Sequence, residues 1–270
     1  INLIINLNLI NNNLKLKTYK DFSLKVRKSI LKIANSSQCS HIGSSLSIVD
    51  VMSVLYLNLL KTKKNSFILS KGHACLALYC VLKEMGFITE KTLNSFGKND
   101  SILMSHASHK VPSIELSTGS LGHGLPVASG IALAEKIKKI SSKTFILMSD
   151  GEIDEGSVWE SLLFSSHHKL SNLVIIIDYN KIQSIDFVKN TLNLEPLKQK
   201  FQSFGCKVLS VDGHNFKQLE KALNSSSTKP LVIIANTIKG KGVSFMENSV
   251  LWHYKSLNSE DYQKAMKIIK

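Results

Sequence analysis

Arginine is all but missing from this chain. Arg27 is the only one in 270 residues, so the formal excess of fourteen positive charges is carried by lysine. The lysines are spread along the sequence, with no basic arm and no aromatic residues interleaved among them, and this pattern argues against nucleic-acid binding. The bias toward Lys, Asn, Ile and Ser reads as compositional drift, although a basic surface also attracts anionic ligands. Long apolar runs are missing as well. No window of about twenty residues is uniformly apolar, so no membrane-spanning helix is expected. The four cysteines, Cys39, Cys75, Cys80 and Cys206, form no C-x-x-C pair. That speaks against a zinc site or a disulfide frame and for a reducing, cytoplasmic compartment. Linkers, repeats and a second core are absent from the pattern. Residues 1–20 are low in complexity, with neither an initiator Met nor a charged stretch before an apolar core. They are expected to form a disordered leader, followed by one domain over residues 21–270.

What is present is an alternation of strand-like and helix-like segments. Short apolar, β-prone runs stand at 65–69, 144–148, 172–177, 207–211 and 230–236. The run around LVIII at 173–177 is apolar on both faces, as a buried parallel strand requires. Helical spacing marks 21–34, 76–85, 126–139, 152–169, 216–223 and 259–269, and a helix over 48–56 is expected to start from a Ser cap at Ser45 or Ser47. Strands alternating with helices predict an α/β fold: a doubly wound, mostly parallel sheet with helices on both faces.

The stretch 144–182 is one βαβ unit with chemistry at both strand ends. Neighbouring parallel strands deliver their C-terminal loops to one edge of the sheet, which brings Asp150 and Asn180 side by side. A carboxylate and an amide oxygen are hard ligands suited to Mg2+ or Ca2+. A helix starting after Gly151 would offer unpaired N–H groups to an anion. Together they describe a seat for a metal-bridged diphosphate. An ordinary βα turn ending in Asp-Gly is the plainer alternative. Further histidines fall at strand-to-helix edges or in irregular loops: His41, His73, His106 with His109 nearby, and His253 beside Trp252. Solvated loop positions, a helix cap and a packing pair are the plain readings of these.

The Asp-Gly, about thirty residues and then Asn is similar to the fingerprint of thiamine diphosphate enzymes. S-H-x-G at 40–43, S-K-G-H at 70–73, S-T-G-S-L-G-H-G-L-P at 117–126, and T-x-K-G-x-G-V at 237–243 followed by Trp252-His253 stand in the order seen in transketolases. Over residues 21–265 the chain resembles the N-terminal subunit of a split transketolase. The resemblance implies ketol transfer between sugar phosphates, with thiamine diphosphate and Mg2+ (or Ca2+) as cofactors. It implies that Asp150, Asn180 and the backbone carbonyl of Ile182 ligate the metal, and that His73 and Gly151 meet the diphosphate. Backbone groups near Gly119 and Leu121 would hold the aminopyrimidine. His41, His106 and His253 would handle substrate protons; Ala107 stands after His106 where the family has Pro, which makes His109 a competitor, with His106 favoured. Glu155 would sit at the subunit contact and link paired sites. Tyr254, where Gly is commoner, would narrow the mouth. The family's activating glutamate lies on a pyrimidine-binding domain, so a partner subunit carrying that domain and a hetero-oligomer of dimeric type are expected. A fragment of another thiamine diphosphate enzyme, such as a deoxyxylulose-phosphate synthase, and a non-catalytic cofactor-binding scaffold are the alternatives.

Overall fold

The structure is a computed structural model that describes residues 2–61 and 64–269, with side chains from residue 14 onward. Five strands, β1 (Ser66–Leu69), β2 (Thr144–Ser149), β3 (Leu173–Tyr179), β4 (Lys207–Asp212) and β5 (Leu231–Asn236), form one sheet in the order β1-β2-β3-β5-β4. Every pairing is parallel. The expected strands are all present, and their ends differ by one or two residues.

Side chains alternate across a strand, so a sheet covered on both faces needs apolar residues at every position. β2 and β3 are buried along their whole length. Phe145, Leu147, Val174, Ile176, Leu231 and Ile233 enter the core on one face. Ile146, Met148, Ile175, Ile177, Val232 and Ile234 enter the core on the other.

The first face is covered by α1 (Asn2–Ser37), α2 (Ile42–Ser47), α3 (Val49–Asn58), α4 (Cys75–Glu84), the short α5 (Glu90–Leu93), α10 (Phe216–Leu223) and α11 (Ser259–Ile268). The second is covered by α6 (Gly124–Ile137), α7 (Gly156–His167) and α9 (Leu197–Ser203), with Val188 of the short α8 (Val188–Thr191) joining that core. The crossovers from β2 to β3 and β3 to β4 run through α7 and α9 on one face. The connection from β4 back to β5 reverses direction and runs through α10 on the other, as a right-handed rule demands.

Three local expectations change. The first helix starts before Asp21: Tyr19, 1% exposed, already packs in the core, so residues 14–20 belong to the folded body and not to a leader. The side chains of 2–13 lie outside the described residues. Neither Ser45 nor Ser47 caps a helix. The chain instead kinks between α2 and α3 at Ile48, and the Ser47 hydroxyl turns inward to Asp178. The segment after Gly151 is a 3-10 turn over Gly151–Asp154, and α7 begins only at Gly156 because Glu155 is extended. Among the described residues no helix is long and apolar enough to cross a membrane.

Candidate active site

Because all five strands run the same way, the loops after β1, β2, β3 and β5 gather at one edge. They enclose a cleft of about 250 Å³ whose lining includes His41, Lys71, His73, His106, Asp150, Asn180, Lys239 and His253. β2 and β3 are in register at Ser149 and Asp178, which places Asp150 beside Asn180. The Lys181 N–H donates to Asp150 Oδ2 at 2.7 Å and the Ile182 N–H to Asn180 Oδ1 at 3.1 Å. The Asn180 amide orientation is fixed from behind, since its Nδ2 donates to Asp178 Oδ2 at 3.0 Å.

Burial, and then the neighbouring Asp178, push the Asp150 carboxyl up to about 7. A buried carboxylate raised in this way is short of positive charge, and a divalent cation would supply it. Asp150, Asn180 and the Ile182 carbonyl are the oxygens available. Among the described residues no cluster of three or more His, Cys, Asp or Glu is placed to hold a metal. A cation here would therefore rest on one carboxylate, one amide and one carbonyl, with ligand oxygens completing its shell, an arrangement Mg2+ accepts. The Ile182 carbonyl, however, already has a partner: the Lys239 ammonium donates to it at 3.0 Å, to the Gln183 carbonyl at 3.3 Å and to His253 Nδ1 at 2.7 Å. The expected run of unpaired N–H groups after Gly151 is also not found. The Gly151 N–H is taken by Asp150 Oδ1, the Glu152 N–H by the Ser149 hydroxyl and the Ile153 N–H by the Asp150 carbonyl. Satisfying these donors inside a tight turn is what delays the helix to Gly156.

Three imidazoles converge above this floor. The ring of His41 lies 5.2 Å from that of His73 and 5.1 Å from that of His253, centre to centre. The His41 backbone N–H donates to the His253 carbonyl at 2.9 Å, joining the two loops. Burial, then His106 and Lys239, lower His41 to about 4. Burial, then Lys239, lower His253 to about 3. Burial, then Lys71, hold His73 well below its ordinary value. All three are neutral at neutral pH and can accept a proton. Lysine has no acceptor, so its bond to His253 Nδ1 fixes the tautomer and leaves the hydrogen on Nε2. Tyr254 does line the mouth, with its ring 5.5 Å from His41 and 4.7 Å from His253.

Of the residues singled out in the sequence, His41, His73, His106, Leu121, Asp150, Gly151, Asn180, Ile182 and His253 share this cleft. Gly119 lies just behind it against the His106 ring: a Cβ added there would stand 3.7 Å from His106 Cδ2. His109 is elsewhere, exposed and bonded to Ser117. Glu155 is exposed and packs beside Gly122, outside the cleft. Four buried residues escaped the sequence reading, Lys239 among them. Lys71 and Asp178, each at most 1% exposed, form an ion pair under the floor. Glu152, fully buried, accepts from the Ser70 hydroxyl, and from the Gly122 N–H at 2.9 Å. It thereby ties the glycine-rich turn to the end of β1. Polar residues directly after buried apolar strands were the available signal for Lys71, and an acid within the apolar run IIIDY was the signal for Asp178.

A parallel sheet whose strand-end loops gather over one cleft belongs to the doubly wound α/β class. The chain matches the family described as transketolase, thiamine diphosphate binding domain, over residues 23–269, and it belongs to that family. It is 36% identical over 265 residues to one of the named subunits of the apulose-4-phosphate transketolase of Phocaeicola vulgatus, covering 94% of each chain. It is 39% identical over 255 residues to the protein of the same name from Actinobacillus succinogenes, covering 90% of this chain and 92% of that one. Among solved structures, a transketolase from Leishmania mexicana superposes with a TM-score of 0.85 at 25% identity. The match covers 92% of this chain but spans only 40% of the solved one.

Proposed function

We propose that this chain is the diphosphate-binding subunit of a transketolase-type enzyme, a transferase that moves a two-carbon ketol unit between sugar phosphates together with a separate subunit carrying the pyrimidine-binding domain. The observation that carries this reading is the meeting of Asp150 and Asn180, on adjacent strand ends, with three neutral imidazoles and a buried lysine in one cleft. Asp150, Asn180 and the Ile182 carbonyl, through the lone pair that Lys239 does not use, hold Mg2+ (or Ca2+). His73 donates to the cofactor diphosphate, and backbone at Gly119 and Leu121 borders the aminopyrimidine. Thiamine diphosphate, when bound, supplies the electron sink for breaking and remaking a carbon–carbon bond. The protein orients the reactants and moves protons. His41, His106 and His253 receive and return protons at substrate hydroxyl and carbonyl oxygens; histidine is the side-chain type most often used as a general acid or base. Glu155, exposed beside the cleft, meets the partner. Exposed apolar residues on α6 and α7, among them Val127, Ile137, Leu163 and Phe164, offer surface for assembly.

The chain's near-complete coverage of relatives that are themselves named as single subunits supports the two-subunit reading. The test starts with the purified chain: thiamine diphosphate is titrated with and without Mg2+, for the parent and for Asp150→Ala. Saturable binding that needs Mg2+ and is lost in the variant is expected. The chain is then recovered with its partner and the complex assayed for ketol transfer. Full activity of the isolated chain would overturn the two-subunit reading. Metal-dependent binding in an inactive complex would point to a regulatory scaffold.

A further inference from the structure

The only arginine of the chain is not on the surface. Arg27 of α1 is 8% exposed and clasps Asp50 of α3, which is 4% exposed, with Nη1 donating to Oδ1 at 2.8 Å and Nη2 to Oδ2 at 2.7 Å. Its remaining Nε donates to the Lys241 carbonyl at 3.2 Å. Asp50 Oδ2 also accepts from His214 Nδ1 at 2.8 Å, and His214 Nε2 accepts from the Ile238 N–H at 2.9 Å. The last bond leaves no choice of tautomer: the hydrogen of the imidazole is on Nδ1 and points at Asp50. Burial alone would raise the Asp50 carboxyl, yet Arg27 and His214 hold it well below the usual carboxylate range.

This network lies outside the cleft, but its two free ends grip the backbone at Ile238 and Lys241, on either side of Lys239. The loop between them has little freedom. Gly240 sits at φ +80°, where a Cβ would come 2.3 Å from the Met246 carbonyl oxygen, and its N–H donates to the Gly43 carbonyl at 3.0 Å. Gly242, at φ +98°, packs against the Arg27 side chain. A planar fork that serves a carboxylate with two donors and a backbone carbonyl with a third is a geometry lysine cannot copy. This accounts for an arginine at this one position in a chain that otherwise uses lysine.

We propose that Arg27, Asp50 and His214 form a strut that positions Lys239 over the Ile182 carbonyl and His253, making them positioning residues for the cofactor cleft although none lines it. This inference takes the cleft's cofactor role from the reading above. The test uses three His214 variants of the full chain. In His214→Gln, Oε1 stands near the place of Nε2 and can still accept from Ile238. In His214→Asn, Nδ2 can still donate to Asp50 but nothing reaches Ile238. His214→Ala loses both. Hydrogen exchange of 237–243 is compared with that of β3 in each, and Mg2+-dependent thiamine diphosphate binding is measured alongside.

Losing the hydrogen bond to the Ile238 N–H predicts about tenfold faster exchange in 237–243 and about tenfold weaker binding for Ala and Asn, with Gln within about threefold of the parent. Exchange in β3 stays at the parental rate in all three. The strut is overturned if Asn behaves as the parent, if Gln is as impaired as Ala, or if β3 exchange rises in step with the loop, which would mark a general loss of stability. Failure of the parent to bind the cofactor at all would sink the functional reading while the exchange comparison still decides the strut.

Discussion

Two buried acids, Asp50 and Asp178, are both faced by a buried cation and both tied to the 237–243 loop, yet they serve different ends. Asp50 is closed off. Its oxygens meet Arg27 twice and His214 once, and the far sides of those partners end on backbone groups of the loop. Asp178 is open. It accepts from Lys71, from the Ser47 hydroxyl at 2.7 Å, from the Thr237 hydroxyl and from Asn180, and two of these partners, Lys71 and Asn180, line the cleft. A closed network holds a loop still. An open one turns buried charge toward whatever enters the cleft. Neither is a strong source of stability by itself, because desolvation offsets much of the attraction.

The sharpest way to break this comparison is to remove each acid. Asp178→Ala and Asp50→Ala each leave a buried cation alone and should cost ~3–5 kcal/mol in urea unfolding. The paired apolar replacements then separate the two networks. Lys71→Met with Asp178→Leu should recover most of the stability, as should Arg27→Met with Asp50→Leu. Only the first pair should abolish Mg2+-dependent cofactor binding; the second should weaken it. If both pairs abolish binding, the distinction between open and closed networks is wrong.

Next in size is Gly240→Ala, which forces a side chain into a left-handed position against the Met246 carbonyl. It should cost ~1–3 kcal/mol in the same unfolding measurement. A smaller effect concerns pH. His41 and His253 have folded values of about 4 and about 3, below the ordinary imidazole value. At these two groups the unfolded chain takes up more protons than the folded one, so their contribution to stability should fall as pH drops from about 6.5 toward 4, while Asp150, raised to about 7 in the folded chain, works in the opposite direction. Urea midpoints measured across that window should show a shallower slope for His41→Gln, and an unchanged slope would place the sensitivity elsewhere. Smallest of all, Glu155→Gln should shift the stability of the isolated chain by less than ~0.5 kcal/mol, since its side chain is exposed. A larger shift would give that residue a structural duty inside this chain.

The strands and the Asp150–Asn180 pair were legible because their signals are local or topological. A short run apolar at every position suits a strand buried on both faces, and parallel neighbours share an edge. The networks under the cleft were not legible. Arg27 meets Lys241 and Lys71 meets Asp178 across long stretches of sequence, and nothing in helical or strand period encodes such pairs. The late start of α7 was hidden because Ser149 and Asp150 satisfy the first N–H groups in a 3-10 turn. The kink at Ile48 was hidden because the serines before it look like caps, while Ser47 in fact serves a distant carboxylate.

The strand order has a consequence for how the chain is made. β5, the last of the five in sequence, lies between β3 and β4, its neighbours on either side. As the chain leaves the ribosome, β3 and β4 emerge first and cannot be allowed to pair with each other, for that would close the slot β5 must enter. Among the described residues β4 pairs with no strand other than β5, so it joins the sheet only through β5. Lys239 follows β5 by only three residues. Completing the sheet and delivering that lysine are thus one event, and the nascent chain has no competent cleft before the fifth strand is threaded home.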